Sequence, residues 1–183
     1  MRATFHATFL PHPSYEVGAS LENVNLKQLP WADNLAARFA GRASATVHLN
    51  LSGVVRDDLL KSLTGKGEIK IRDLEFEGWD ANATISGGEP REGASHWSSA
   101  QGPFQVRGAG VVFPALRLES GPDLSVLKGI FGFPKDSNFT IEPVLDDQVG
   151  TDVGAAGYVL KISGAVDLPR VSIERLVARR RVE

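Results

Sequence analysis

A short element recurs along this chain: an apolar residue, any residue and a glycine, followed by a run of strand-forming residues. It occurs as Phe39-Ala-Gly41, Leu51-Ser-Gly53 and Leu63-Thr-Gly65, and again as Leu127-Lys-Gly129 and Ile162-Ser-Gly164. The first three glycines are 12 residues apart, which is the spacing of one strand and one turn. This repetition predicts a sheet built by adding similar strands, with one continuous apolar face that something must cover.

The longest predicted strand, residues 66–77, changes phase in its middle. Its apolar residues alternate with polar ones, but the second half is displaced by one position relative to the first. A one-residue slip at 72–73 returns Leu74 to the face that holds Ile71. We therefore predict a β-bulge or tight turn at that point.

Similar alternation predicts about ten strands between residues 3 and 176, including one at 81–85. Two short helices are predicted, at 30–39 and at 56–63, and two loops, at 86–100 and 146–157. The predicted fold class is mostly β: a large curved, mainly antiparallel sheet, an open groove or half-barrel, with two short helices. Residues 1–178 are predicted to form a single domain and residues 179–183 a basic tail. Because the opening residues read as a strand, we expect the chain to be part of a longer protein.

Composition excludes several classes of function. The chain has 183 residues, 42% of them hydrophobic, and a net charge of −2, which disfavours general nucleic-acid binding. It has no cysteine, which excludes disulfides, thiol catalysis and cysteine-based zinc sites. No apolar run reaches the length of a membrane-spanning helix.

The residues of catalytic chemistry do not converge in the sequence. The four histidines form no metal-binding pair, and no nucleophilic serine motif is present. The Gly65-Lys66-Gly67 segment precedes a strand and not a helix, so it is interpreted as a turn. The acidic pairs at 57–58 and 146–147 are interpreted as solvated or capping groups, with divalent-ion binding as the alternative. Trp97 is predicted to be exposed, which leaves a carbohydrate-binding surface open. Neither a catalytic site nor a cofactor is predicted, and the chain is not expected to be an enzyme.

Four segments of the chain resemble a known family. They are LLKSLTGKGEIKIRDLEFEGWD (59–80), SHWSSAQGPFQVRGAGVVFPALRLES (95–120), LKISGAVDLPRVSIERL (160–176) and FLPHPSYEVGASLENVNLKQL (9–29). Together they resemble the C-terminal region of AsmA-like proteins, in which a helix with L-x-x-L-x-G-x-G precedes a strand and a "gwD" motif. The family is related to bridge-like lipid transfer proteins.

The resemblance implies a non-enzymatic lipid-binding or lipid-transport module that holds phospholipid acyl chains in a hydrophobic β-groove and contributes to outer-membrane lipid homeostasis. It also implies a periplasmic location in a Gram-negative-type bacterium. The full-length protein would be anchored in the inner membrane by an N-terminal helix, and an envelope protein is a possible partner. The alternating apolar side chains are then predicted to contact lipid: Phe5, Phe9, Val47, Leu49, Leu51, Ile69, Ile71, Leu74, Phe76, Phe104, Val106, Leu116, Leu118, Phe131, Phe133, Phe139, Ile141, Leu160 and Ile162.

The alternative is a structural or interaction domain of an envelope assembly, in which the β core covers its own apolar face. The two hypotheses differ in one property: whether the apolar face is open in the isolated domain.

Overall fold

The computed structural model describes residues 2–9, 11–28, 39–87, 89–108, 110–132, 137–143, 158–164 and 170–175. A short 3-10 turn, Leu26–Gln28, follows the second strand. The strands are β1 (Arg2–Thr8), β2 (Ser14–Asn25), β3 (Phe39–Ser52), β4 (Thr64–Glu77), β5 (Ala94–Arg107), β6 (Gly110–Ser120), β7 (Asp123–Gly132), β8 (Ser137–Pro143), β9 (Tyr158–Gly164) and β10 (Arg170–Arg175), and the helices are α1 (Arg56–Ser62) and α2 (Ala81–Gly87).

The strands form one antiparallel sheet whose order in space is their order in the sequence, from β1 to β10. Each strand pairs with the strands before and after it in the chain, and the sheet does not close into a barrel. The prediction of a mostly β, mainly antiparallel sheet with two short helices is therefore confirmed.

The two helices lie at opposite ends of the strands. α1 connects β3 to β4 at the end that also carries the turn between β1 and β2; we call this the α1 end. α2 connects β4 to β5 at the other end, beside the turn between β6 and β7; we call this the α2 end.

The bulge in the longest strand is confirmed. The pairing of β3 with β4 shifts register between Ala40 and Arg42, so that β4 carries one extra residue there. Asp73 in this bulge has φ 52°, a left-handed conformation that aspartate tolerates better than most residues. The bulge keeps Leu74 and Ile71 on the same face, and both are buried.

Two predictions for the segment after β4 are wrong. Residues 81–85 form a helix and not a strand, because Asp80 caps it: the Asp80 side chain accepts a hydrogen bond from the Ala83 N–H at 2.9 Å. The second half of the predicted 86–100 loop belongs to β5. Trp97 lies in that strand and is only 5% exposed, so it does not form an exposed carbohydrate-binding surface.

Other predictions fall wholly or partly outside the described residues. They are the loop at 146–157, the basic tail and residues 30–38 of the first predicted helix, whose last residue, Phe39, begins β3.

The sheet curves around α2. This helix contacts both β5 and β9, which are four strands apart in the sheet and would be separated by roughly 19 Å if the sheet were flat. A helix is only about 10 Å across with its side chains, so the strands between must bend towards it. Trp79 and Ala81 consequently share one hydrophobic core with Leu118, Ile141 and Leu160.

A buried serine fixes the start of α2. Ser95 in β5 is 0% exposed. Its hydroxyl donates to the Trp79 carbonyl oxygen at 2.7 Å and accepts from the Ala81 N–H at 2.8 Å.

We predict that Ser95→Ala lowers the free energy of unfolding by about 1–3 kcal/mol, because it leaves a buried N–H and a buried carbonyl without partners. Urea denaturation followed by circular dichroism measures the change. Ser98→Ala, at an exposed position of the same strand, is the matched control. Equal stability of the Ser95 variant and this control would contradict the assigned role.

Candidate functional site

Strand pairing places apolar and polar side chains on opposite faces of the sheet. Residues directly opposite each other in an antiparallel pair lie on the same face. One such row runs Phe5, Val17, Leu49 and Gly65, and continues across β5, β6 and β7 through Val106, Val111 and Phe131. We call the face that holds this row the apolar face. It extends from β1 at one edge of the described sheet to Val171 and Ile173 of β10 at the other.

The opposite face, called here the polar face, carries ion pairs and hydrogen bonds between strands. Lys128 and Glu142 are paired at 2.7 Å, and Lys161 is paired with Glu174 on the next strands. The Arg72 side chain donates to the Asn23 side-chain oxygen at 2.9 Å. These partly exposed contacts indicate that the polar face meets water.

The apolar face is covered at one end and open at the other. Towards the α2 end, Phe76, Trp97 and Leu118 are buried beneath Trp79 and α2. Towards the α1 end, side chains of the same face such as Val47 and Phe104 are only half-buried, and Phe5 is 68% exposed. Within the described strands, the apolar face thus has a covered half, beneath α2, and an open half, towards the α1 end.

The residues predicted to contact lipid divide between these two regions. Those within described strands all lie on the apolar face, as their pairing partners show. Phe9 is exposed in the turn after β1, and Phe133 lies outside the described residues. The buried ones are Ile71, Leu74, Phe76, Leu116, Leu118, Ile141, Leu160 and Ile162, and the half-buried ones are Val47, Leu49, Leu51, Ile69, Phe104, Val106, Phe131 and Phe139.

Glycines in the open region leave room for phenyl rings of the neighbouring strands to lie flat against the sheet. A Cβ atom built on Gly67 would lie 2.4 Å from Cζ of Phe104, and one built on Gly129 would lie 2.8 Å from Cδ1 of Phe139. The two phenyl rings therefore lie across the neighbouring strand and do not stand upright on the sheet. Further along the face, Phe104 approaches Phe113 with 6.3 Å between ring centroids. The result is an aromatic floor of half-buried side chains.

Sequence reasoning missed several members of the apolar face. Tyr15 stacks on Phe5 with 6.1 Å between ring centroids, and Phe39 packs on Phe76 at 4.7 Å. Alternation alone does not place Phe113 on this face, because a register shift between β6 and its neighbours interrupts the pattern after it. Tyr15 and Val17 alternate with Ser14 and Glu16, and this pattern is a sequence signal that places Tyr15 on the apolar face.

The polar face carries a shallow depression of about 800 Å³ across β2 to β7. Its border mixes charges of both signs with small polar groups, including Thr46, Glu68, Lys70 and Arg117. Among the residues predicted to contact lipid, Ile69 borders it. Charged, polar and apolar side chains are mixed around this depression, whereas the apolar face is continuously apolar across the strands, so the apolar face is the stronger candidate site.

Within the described ranges, no three or more histidine, cysteine or acidic side chains come together as metal ligands would. No helix in the described part of the chain has the length and hydropathy needed to cross a bilayer. The candidate site is thus the open apolar surface of the described strands.

Comparison of the chain with protein-family models, with curated proteins and with solved structures gives no match.

Proposed function

We propose that this protein is a non-enzymatic module that binds the acyl chains of phospholipids on the open half of its apolar face. The observation that carries the proposal is the division of that face: α2 covers one end, whereas the aromatic floor around Phe104 and Phe139 remains half-buried. A folded domain that leaves so much contiguous apolar surface open indicates a binding surface.

The chemistry of the open region suits an acyl chain. Its side chains are aliphatic or aromatic, and the polar groups of the same strands point to the other face. An acyl chain needs a continuous apolar surface and no directed hydrogen bonds, whereas a sugar or nucleotide needs both. The phospholipid head group would stay in water beyond the open edge of the floor.

The free energies of apolar burial and of association favour a lipid with two acyl chains. Each buried methylene contributes about 0.8 kcal/mol, so roughly ten buried methylenes contribute about 8 kcal/mol. The loss of translational and rotational freedom on association costs about 4–15 kcal/mol. Because both chains of a phospholipid share that single cost, a two-chain lipid is retained better than a fatty acid.

The resemblance to AsmA-like proteins supports the wider proposal. On that basis we assign the module to the periplasm of a Gram-negative-type bacterium, within a longer protein anchored in the inner membrane. Its role there would be lipid transport that contributes to outer-membrane lipid homeostasis, in contact with an envelope protein partner.

A second candidate function rests on the covered half of the face. Because α2 already buries Trp97 and Leu118, a related arrangement could cover the remainder with a further protein segment. The domain would then serve as a structural or interaction domain of an envelope assembly.

Lipid extraction separates the two functions. The protein is purified without detergent, denatured and extracted with organic solvent, and the extract is analysed by mass spectrometry. We expect at least one phospholipid per chain. A folded, lipid-free protein that also takes up no phospholipid from added vesicles would overturn the lipid-binding proposal and favour the assembly role.

A further inference from the structure

The large hydrophobic side chains that are most exposed in the described part of the chain cluster towards the α1 end. Val54 is 76% exposed and Val55 57% exposed in the loop before α1, and Leu60 of α1 is also exposed. Phe9 lies in the adjacent turn after β1 and is exposed as well. We call Phe9, Val54, Val55 and Leu60 the apolar tip.

Hydrogen bonds hold the segments around this tip together. The Gly53 N–H donates to the Pro13 carbonyl at 3.1 Å, which joins the loop before α1 to the turn after β1. The Gly108 N–H donates to the Leu63 carbonyl at 2.7 Å, and the Ser62 hydroxyl donates to the Ser52 carbonyl at 2.7 Å. The apolar side chains are therefore presented by an organised surface.

The residue at the N-cap of α1 is unfavourable for helix stability. Val55 occupies the N-cap and makes no side-chain capping hydrogen bond, although serine, threonine, aspartate and asparagine are preferred there. An exposed β-branched hydrophobe at a cap position contributes neither to helix stability nor to the solubility of the protein. Violations of local rules of this kind are expected at functional or strained sites.

The charged side chains at the α1 end bear on which kind of partner the apolar tip contacts. Among the described residues in the last rows and connections of the sheet at the α1 end, the acidic side chains are Glu16, Asp57 and Asp58, and the basic ones are Arg56, Lys61, Lys66, Arg107 and Arg170. In the described part of the chain, none of these basic groups forms an ion pair. Among the described residues at the α2 end, the acidic side chains outnumber the basic ones, as at Glu75, Glu77, Asp80, Glu92 and Asp123. Among the described residues, the α1 end thus combines exposed hydrophobes with more basic than acidic side chains.

We propose that the α1 end docks on the surface of a membrane that contains anionic phospholipid, with the apolar tip entering the interfacial layer. Small protruding hydrophobes surrounded by basic groups bind such surfaces through apolar burial plus electrostatic attraction. The open half of the apolar face reaches the same end of the sheet, so this docking would bring it next to the membrane. The docking is separable from acyl-chain binding, since the tip and the aromatic floor are formed by different residues.

Vesicle co-sedimentation of the full chain tests the proposal. The probe is vesicles of equal parts phosphatidylcholine and phosphatidylglycerol, compared with phosphatidylcholine alone. We expect binding to the mixed vesicles, weaker binding to the neutral ones, and a lower affinity for the mixed vesicles as salt is raised.

The double variant Val54→Ser/Val55→Ser is expected to lower the affinity for the mixed vesicles about tenfold or more. Serine at position 55 is a favoured N-cap, so this variant is expected to fold at least as well as the parent. Leu124→Ser, which replaces a partly exposed hydrophobe of β7 at the α2 end, is the matched control and is expected to bind as the parent does.

A site-specific probe gives an independent measurement. The chain has no cysteine, so Val54→Cys accepts a single environment-sensitive fluorophore, and Asp123→Cys at the α2 end serves as the control. We expect a blue shift on vesicle addition at position 54 and none at 123. Unchanged vesicle affinity of the double variant, or no shift at position 54, would overturn the proposal. If the parent is a dimer, and the double variant is a monomer that still binds vesicles as the parent does, the proposal is overturned. The tip would then be a contact between two copies of the chain.

Discussion

Leu49→Asp is expected to abolish the lipid that co-purifies with the protein and to leave the domain folded. Leu49 is half-buried on the open part of the apolar face and lies outside the core cluster around α2. A carboxylate there remains hydrated in the free protein but would have to lose water against an acyl chain, which costs several kcal/mol. Mass spectrometry of the solvent extract measures the lipid, and circular dichroism measures the fold.

The neighbouring residue supplies a matched control. Asn50 is exposed on the polar face of the same strand, so Asn50→Asp introduces the same charge about one residue away on the other side of the sheet. It is expected to keep the full amount of bound lipid. Lipid retention by the folded Leu49 variant would mean that this part of the face does not bind acyl chains.

Leu118→Ala is expected to destabilise the domain by about 2–5 kcal/mol, whereas Leu49→Ala costs about 1 kcal/mol or less. Leu118 is 1% exposed and packs in the core beneath α2, so its truncation leaves a cavity as well as losing apolar burial. Because natural domains have about 5–15 kcal/mol of stability in total, the Leu118 variant loses a large fraction of it.

The two truncations remove the same atoms at two positions of one face, so each is the control for the other. Urea denaturation gives the free energies of unfolding. Equal losses at the two positions would contradict the division of the apolar face into a covered and an open half.

Alternation in the sequence was sufficient to predict the sheet, its amphipathic character and the bulge at 72–73. These features depend on neighbouring residues: period-2 patterning sets the face of each side chain, and the slip from Ile71 to Leu74 is visible in the sequence itself. The same alternation gave a wrong strand at 81–85, where the capping side chain of Asp80 outweighs the β-branched residues that follow.

The division between core and open surface was not predictable from alternation. Leu49 and Ile71 have similar local patterns on adjacent strands, yet only Ile71 belongs to the core. The difference arises from the packing of α2 against β9, a contact between distant parts of the sequence. Trp97 was placed on the surface for the same reason, since the glycine- and serine-rich residues around it give no sign of the helix that buries it.

The order of the strands also bears on how the chain folds. Since each strand pairs with its immediate neighbours in the sequence, the sheet can grow one hairpin at a time, and its pairing requires little loop-closure entropy compared with other all-β topologies. The docking of α2 on β9 is different, because it closes a long loop. We therefore expect the strands near α1 to gain protection from hydrogen exchange early in refolding, and the core around α2 to consolidate last, when β9 is in place.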